Sequence, residues 1–259
     1  MSRILTRIID FIFPHQKDIK LGDERFWDLH WDKMNRYFKK HGEIFEINDK
    51  WDFHCNDALH EHYKSIIGSP KDLKIIECGC GGGYEGSLMA RDGGNIVVMD
   101  YSSKALDYAK LVSERLKVKE KIKFIEANLL DFKTNDKYNI AWNCGVIEHY
   151  DDKGAIALIK SMMSMVETGG QVLITIPSLL SPQSLYWMIT EGKGSERYIT
   201  RRKLIKLMET AGLKNVKIET FSYWLPSFLP HKWAIKLSKA KFFRTSALSW
   251  LFTGVGTKI

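Results

Sequence analysis

Between Leu73 and Phe221, short apolar runs alternate with segments of helical period, and this alternation limits the chain to very few folds. "LKIIEC" (73–78), "NIVVMD" (95–100), "KIKFIEAN" (121–128), "YNIAWNCG" (138–145), "QVLITIPS" (171–178) and "NVKIETFSY" (215–223) read as strands. Residues 84–91, "SKALDYAKLVSERL" (103–116), residues 153–166 and "TRRKLIKLMETAG" (200–212) read as helices between them. Ser102 or Ser103 is available to cap one helix and Thr200 another, while Gly212 suits the end of the last. This β–α repetition predicts an α/β fold, with a mostly parallel sheet covered by helices on both faces. A chain of 259 residues is long enough for one sizeable domain of this kind. There is no internal repeat and no low-complexity segment.

The flanks break the pattern. Residues 1–70 contain no long strand-like run but many aromatic and His residues, among them Trp27, His30, Trp31, His60 and His62. They are expected to form a helical cap, whose histidines and tryptophans are either candidates for a lid over the site or packing and helix-surface residues. Residues 179–199 and 224–245 interrupt the alternation with aromatics, Gly, Pro and basic residues, as long active-site insertions do. Charge is uneven: from Lys193 onward there are 14 Lys and Arg against 3 Asp and Glu. Such a segment either meets something anionic or presents a solvated basic face. No apolar run reaches the roughly 18 to 20 residues of a membrane-spanning helix. The start, interrupted by Arg7 and Asp10, makes no convincing signal peptide. Cys55, Cys78, Cys80 and Cys144 do not look like a disulfide framework, which favours reduced thiols in the cytoplasm.

The chemistry concentrates in "IIECGCGGGYEG" (75–86), where a strand runs into a glycine loop. In an open parallel sheet, ligands sit beyond the carboxyl ends of the strands. Gly79, Gly81 and Gly83 occupy that place, and without side chains they let the backbone approach a ligand closely. A nicotinamide loop would read G-x-G-x-x-G, but Tyr84 stands where its third glycine would be. No Lys-Ser/Thr pair supports a phosphate loop, and the C-x-C pair lacks a second pair at zinc spacing. The next strand ends in Asp100, placed to accept both hydroxyls of a ribose. Glu77 before the loop would repel phosphates and attract a cation. An adenosine bearing an ammonium and a sulfonium, S-adenosylmethionine, meets these constraints.

From about Lys71 to Tyr223 the sequence resembles the class I, seven-stranded, Rossmann-like methyltransferases that use S-adenosylmethionine. "ECGCGGG" resembles their cofactor loop, "VVMD" their ribose-binding strand end and "EANLLDF" (126–132) their adenine segment. The family commonly shows Gly-Asp in that last place; Ala127-Asn128 stand here, and Asn128 can still accept from the adenine amino group. "YNIAWNCGVIEHYDD" (138–152) resembles the fourth strand and its turn, and "LSWLFTGVGTKI" an antiparallel seventh strand. The resemblance implies a cap over residues 1–70 and a methyltransferase domain over 71–259, with a basic aromatic insertion near 179–245. It implies cofactor contacts from Glu77, Gly79, Gly81, Gly83, Asp100, Tyr101, Asn128, Leu129 and Cys144.

His149, in "VIEHY", falls where the family's methyl-donor end opens. It is either a general base or orienter for the acceptor, or a structural residue that caps the turn. Glu148 and His149 also resemble two members of a divalent-metal trio in some quinone-pathway O-methyltransferases. Gly145 stands where the third would be, so no metal is expected. The expected reaction is methyl transfer to an oxygen or nitrogen of a small molecule, lipid-linked or sugar acceptors included. RNA or protein methylation, and cofactor binding without turnover, are the alternatives; no recognisable RNA-binding appendage supports the first. The amphipathic start (residues 4, 5, 8, 9 and 12) and the basic aromatic tail fit either packing on the domain or contact with a membrane surface.

Overall fold

The structure is a computed structural model that describes residues 24–42, 44, 50–178, 197–221 and 251–259. The amphipathic start and most of the basic aromatic segments lie outside the described residues. Two helices, α1 (Glu24–His41) and α2 (Lys50–Ile67), precede the alternating region. There follow β1 (Lys74–Cys78), α3 (Tyr84–Arg91), β2 (Asn95–Asp100), α4 (Ser103–Arg115) and β3 (Ile122–Glu126). Then come β4 (Tyr138–Cys144), α5 (Asp152–Met165), β5 (Val166–Pro177), α6 (Arg201–Ala211), β6 (Lys214–Phe221) and β7 (Leu251–Thr257).

The expected helix caps form. Ser102 Oγ accepts from Ala105 N, Thr200 Oγ1 accepts from Lys203 N, and Gly212 ends α6 at φ 114°. Each cap satisfies a backbone group that the helix end leaves open, a contribution of about 1 kcal/mol.

The strands form one seven-stranded sheet in the order β3-β2-β1-β4-β5-β7-β6. The pairs among β1 to β5 are parallel, and β7 runs antiparallel between β5 and β6. The seven-stranded architecture expected from the sequence is therefore the one observed. Glycine explains why β7 fits there. A Cβ at Gly254 would come within 2.5 Å of Met208 Sδ, so α6 packs directly onto the bare backbone of β7. β5 begins earlier than the apolar run at Gln171, because Val166 already pairs with Tyr138 before the ladder shifts register.

Successive side chains of a strand point to opposite faces, and both faces here are buried. Ile76, Val97, Met99, Val172 and Ile174 pack with Leu158 and Met162 of α5 and Leu204 and Met208 of α6. Ile75, Ile96, Val98, Trp142 and Leu173 pack with Leu59 and Tyr63 of α2 and Met89 of α3. Each fully buried aliphatic side chain contributes about 1.5–3 kcal/mol relative to exposure.

The second helix is part of this core. Tyr63 stacks on Trp142, with ring centroids 5.3 Å apart and planes within 5°. Its hydroxyl donates to Thr175 Oγ1 at 2.8 Å, Thr175 Oγ1 lies 2.8 Å from Thr253 Oγ1, and His62 Nε2 lies 3.1 Å from the same Thr253 oxygen. Nearer the surface, His60 bridges Glu85 and Asp92 of the α3 region, and Lys64 also pairs with Asp92 at 2.8 Å. Although burial opposes it, pairing with Lys64 and His60 takes the Asp92 carboxyl down to about 2.

Candidate functional site

The glycine loop leaves β1 at Cys78 and crosses the carboxyl edge of the sheet. Gly79 and Cys80 both donate to Met99 O, at 2.8 and 3.0 Å, which ties the loop to the end of β2. Gly79 has φ +70°, and a Cβ there would meet Val146 Cγ2 at 2.7 Å. Gly81 has φ +50°, and its N–H donates to Asp100 Oδ2 at 2.9 Å. Gly83 then caps α3 from a left-handed conformation. An L side chain is disfavoured at such angles, so glycine is the residue that lets this loop turn.

Asp100 is buried and held from two sides, since Ser102 N donates to its Oδ1 at 3.0 Å while Gly81 N holds the other oxygen. Burial pushes its carboxyl up, and the N–H groups of Ser102, Gly81 and Tyr101 oppose that rise. The carboxylate accepts these three N–H groups and keeps one lone pair for a ligand.

These groups face a cavity of about 350 Å³. Gly79, Gly81, Asp100, Tyr101, Asn128, Leu129, Cys144 and His149 all line it, so eight of the ten residues singled out in the sequence meet at one place. Asn128 Oδ1 already accepts from Leu130 N at 2.9 Å, which leaves one lone pair of that oxygen for a ligand. Burial, with the charge of Glu148 next, pushes the Cys144 thiol far up, so Cys144 is a neutral wall residue rather than a nucleophile.

Glu77 and Gly83 are not among the residues that line the cavity. Glu77 was expected to offer the cofactor a negative charge from beside the loop. Its carboxylate lies behind the loop, 5% exposed, where Oε2 accepts from Gly86 N at 3.0 Å. Burial pushes its carboxyl up to about 8, and the nearby Glu85 adds to the rise. At neutral pH it is mostly a neutral acid that pins α3 beneath the loop. Gly83 serves close packing: a Cβ there would come within 2.9 Å of Ala109 Cβ in α4.

The turn Ile147–His149 also borders the cavity. His149 N donates to Val146 O at 3.2 Å, and its buried imidazole meets the Trp27 indole edge-on, with centroids 5.1 Å apart at 79°. Gly145 also borders the cavity, and a Cβ there would lie 3.8 Å from Glu148 Oε1. Among the described residues, no group of three His, Cys, Asp or Glu is placed to hold a metal ion.

The upstream tryptophans were candidates for a lid, and two of them stand at the site. Trp27 and Trp31 of α1 line the cavity, as do Val146, Tyr150 and Pro177. Asp28 accepts from Ser102 Oγ, and Asn35 Nδ2 donates to Lys104 O at 2.9 Å, so α1 is fastened to the start of α4. Trp31, Met34 and Phe38 pack against Tyr84, Leu88, Tyr108 and Val112. The signal was present as apolar residues at 27, 31, 34 and 38, one face of a helix.

The comparisons with known proteins agree with this geometry. A family model described as a methyltransferase domain matches residues 33–218. The ubiquinone biosynthesis O-methyltransferase of Cupriavidus pinatubonensis is 26% identical over 160 residues, covering 58% of this chain and 64% of that protein. The enzyme of the same name from Aeromonas salmonicida is 25% identical over 199 residues, covering 73% and 76%. Among solved structures, an S-adenosylmethionine-dependent methyltransferase of Thermotoga maritima, a possible histamine N-methyltransferase, superposes with a TM-score of 0.62 at 16% identity, covering 88% of this chain and 99% of that one. Magnesium protoporphyrin IX methyltransferase from Synechocystis, with bound S-adenosylhomocysteine, gives 0.61 at 13% identity, covering 91% and 97%. The likeness to these structures shows a shared fold. Because the family model covers well over half of the chain, with β1 to β5, the glycine loop and the His149 turn inside it, the chain belongs to the methyltransferase-domain family.

Proposed function

We propose that the chain transfers a methyl group from S-adenosylmethionine to an oxygen or nitrogen of a small-molecule acceptor. One observation carries the reading: the glycine loop, Asp100 and His149 all line one cavity. The residues suit the cofactor. The left-handed glycines let the loop turn along the cavity, the Asp100 carboxylate keeps a lone pair for a ribose hydroxyl, and Leu129 and Met99 offer apolar contact for the base. A volume of about 350 Å³ lies within the range of small-molecule sites. The matched relatives named as O-methyltransferases support oxygen as the acceptor atom.

When bound, the cofactor supplies a methyl group on a sulfonium, already electrophilic. The chain's own residues then orient and desolvate. His149, buried against Trp27, is placed to take the proton that an acceptor hydroxyl gives up. Trp27, Val146, Leu158 and Pro177 keep water from the reacting atoms. The free Cys78, Cys80 and Cys144 support a reducing, cytoplasmic compartment. The basic aromatic tail supports peripheral contact with an anionic membrane surface.

Calorimetric titration with S-adenosylhomocysteine tests the reading. Binding is expected, and none with a nicotinamide dinucleotide. The opposite pattern would replace the proposal with a dehydrogenase.

A further inference from the structure

Arg197 stands beside the turn that carries His149. Its backbone N–H donates to the carbonyl of Glu148 at 2.9 Å, and Glu148 itself lines the cavity. Its side chain is anchored at one corner only: Nη1 donates to Asp152 Oδ1 at 2.6 Å. The other oxygen of Asp152 is taken by Lys203 Nζ. Two cations therefore share one carboxylate, and the pair carries surplus positive charge.

The remaining guanidinium nitrogens, Nε and Nη2, are both buried and have no hydrogen-bond partner among the described residues. They are the two nitrogens of a single edge of the group. Their N–H bonds run side by side, at the spacing of two oxygens of a carboxylate or a phosphate. A whole bidentate edge withdrawn from water and left unused is costly, and a buried polar group in that state calls for an explanation. The side chain as a whole is 22% exposed, so its solvent contact comes from atoms other than these two nitrogens. Arg197 also falls in the segment whose 14 basic residues face only 3 acidic ones, a surplus that the cofactor site does not use.

We propose that the Nε–Nη2 edge of Arg197 binds a carboxylate or phosphate carried by the methyl acceptor. This rests on the methyltransferase reading and narrows it to anionic acceptors. Asp152 holds the guanidinium flat, the Glu148 carbonyl sets its distance from the His149 turn, and the open edge takes the anion. The acceptor's hydroxyl or amine is thereby directed at the cavity. Arginine rather than lysine is needed, because an ammonium offers no second parallel donor.

The full chain is titrated by NMR with benzoate, phenyl phosphate and neutral benzyl alcohol, with and without S-adenosylhomocysteine. The Arg197 Nε–H resonance is expected to move with benzoate or phenyl phosphate and not with benzyl alcohol. Which anion moves it more separates a carboxylate acceptor from a phosphate acceptor. Arg197→Lys, which keeps the charge and the partner Asp152, is expected to weaken anion binding at least tenfold while S-adenosylhomocysteine affinity stays within twofold. The proposal is overturned if the Nε–H resonance ignores both anions or if benzyl alcohol binds as well as benzoate. It is equally overturned if Arg197→Lys weakens S-adenosylhomocysteine instead, for the edge would then hold the cofactor. The resonance is read in the wild-type chain, so a misfolded variant leaves the test intact. Failure of the wild-type chain to bind S-adenosylhomocysteine would sink the methyltransferase reading, a separate outcome from the anion titration.

Discussion

Trp31 lies across the glycine loop so closely that a Cβ added to Gly81 would stand 2.5 Å from its Cζ2 atom. The helix that precedes the α/β region thus forms the roof of the site whose floor is the loop. Gly81→Ala is expected to lose most S-adenosylhomocysteine affinity and to destabilise the fold by about 1–3 kcal/mol, from strain at φ +50° and the clash with Trp31. Adding Trp31→Ala to that variant should recover part of the stability but not all of it, because the strain remains. Urea unfolding of the single and double variants measures the difference, and full recovery would show that the backbone angle is not the constraint.

Asp100 does two jobs, holding the loop through Gly81 N and α4 through Ser102 N while it keeps one lone pair for a ligand. Asp100→Ala is expected to weaken S-adenosylhomocysteine binding tenfold or more, since a charge-assisted hydrogen bond contributes about 1.5–3 kcal/mol. Asn128→Ala should cost less, as Oδ1 is already occupied by Leu130 N. Calorimetry on the two variants orders them, and a larger loss at Asn128 would reverse the two roles.

Much of this was legible in the residues. The strand ends at Cys78, Asp100 and Cys144 and the helix caps at Ser102 and Thr200 follow from apolar runs and local hydrogen-bonding chemistry, which short sequence windows contain. The roof was legible only as a choice between a lid and packing, because the stripe at Trp31, Met34 and Phe38 says that a helix packs without saying against what. The state of Glu77 was hidden for a related reason: its charge depends on how deeply β1 and α3 bury it. The open edge of Arg197 depends on which side chains reach it in space, and nothing in its sequence neighbourhood records that.

Glu77 gives a pH signature. Its folded carboxyl titrates near 8 against an ordinary value of 4.5, so the folded chain holds a proton that the unfolded chain releases. Its contribution is fully present below the ordinary value and is lost as pH rises toward 8. The loss approaches about 1.4 kcal/mol per pH unit at its steepest. Glu77→Gln, which can still accept from Gly86 N, should lose less stability than wild type between pH 5 and pH 8. Urea denaturation across that window compares the slopes, and parallel curves would mean that Glu77 is charged in the folded chain.

For His149 the expected effect is on turnover alone. His149→Ala should lower kcat by about 10²- to 10⁴-fold if the acceptor is a hydroxyl, with cofactor affinity unchanged. A loss confined to cofactor binding would make the residue a structural support for the Trp27 wall.

The tail can be tested without its structure. Residues 224–259 include Lys232, Lys236, Lys239 and Lys241 and no acidic residue. Replacing Lys236, Lys239 and Lys241 by Gln should reduce co-sedimentation with anionic vesicles, by about 1 kcal/mol per charge at most, and leave S-adenosylhomocysteine affinity intact. Wild-type protein that ignores such vesicles would assign the tail to packing on the domain.

The most direct test follows the methyl group itself. The protein is incubated with methyl-labelled S-adenosylmethionine and cell extract separated into metabolite, lipid, RNA and protein fractions. Label should enter small molecules of the metabolite or lipid fraction, and Asp100→Ala should abolish it. Label confined to RNA or protein, or a cofactor that binds tightly and is never consumed, would contradict the account.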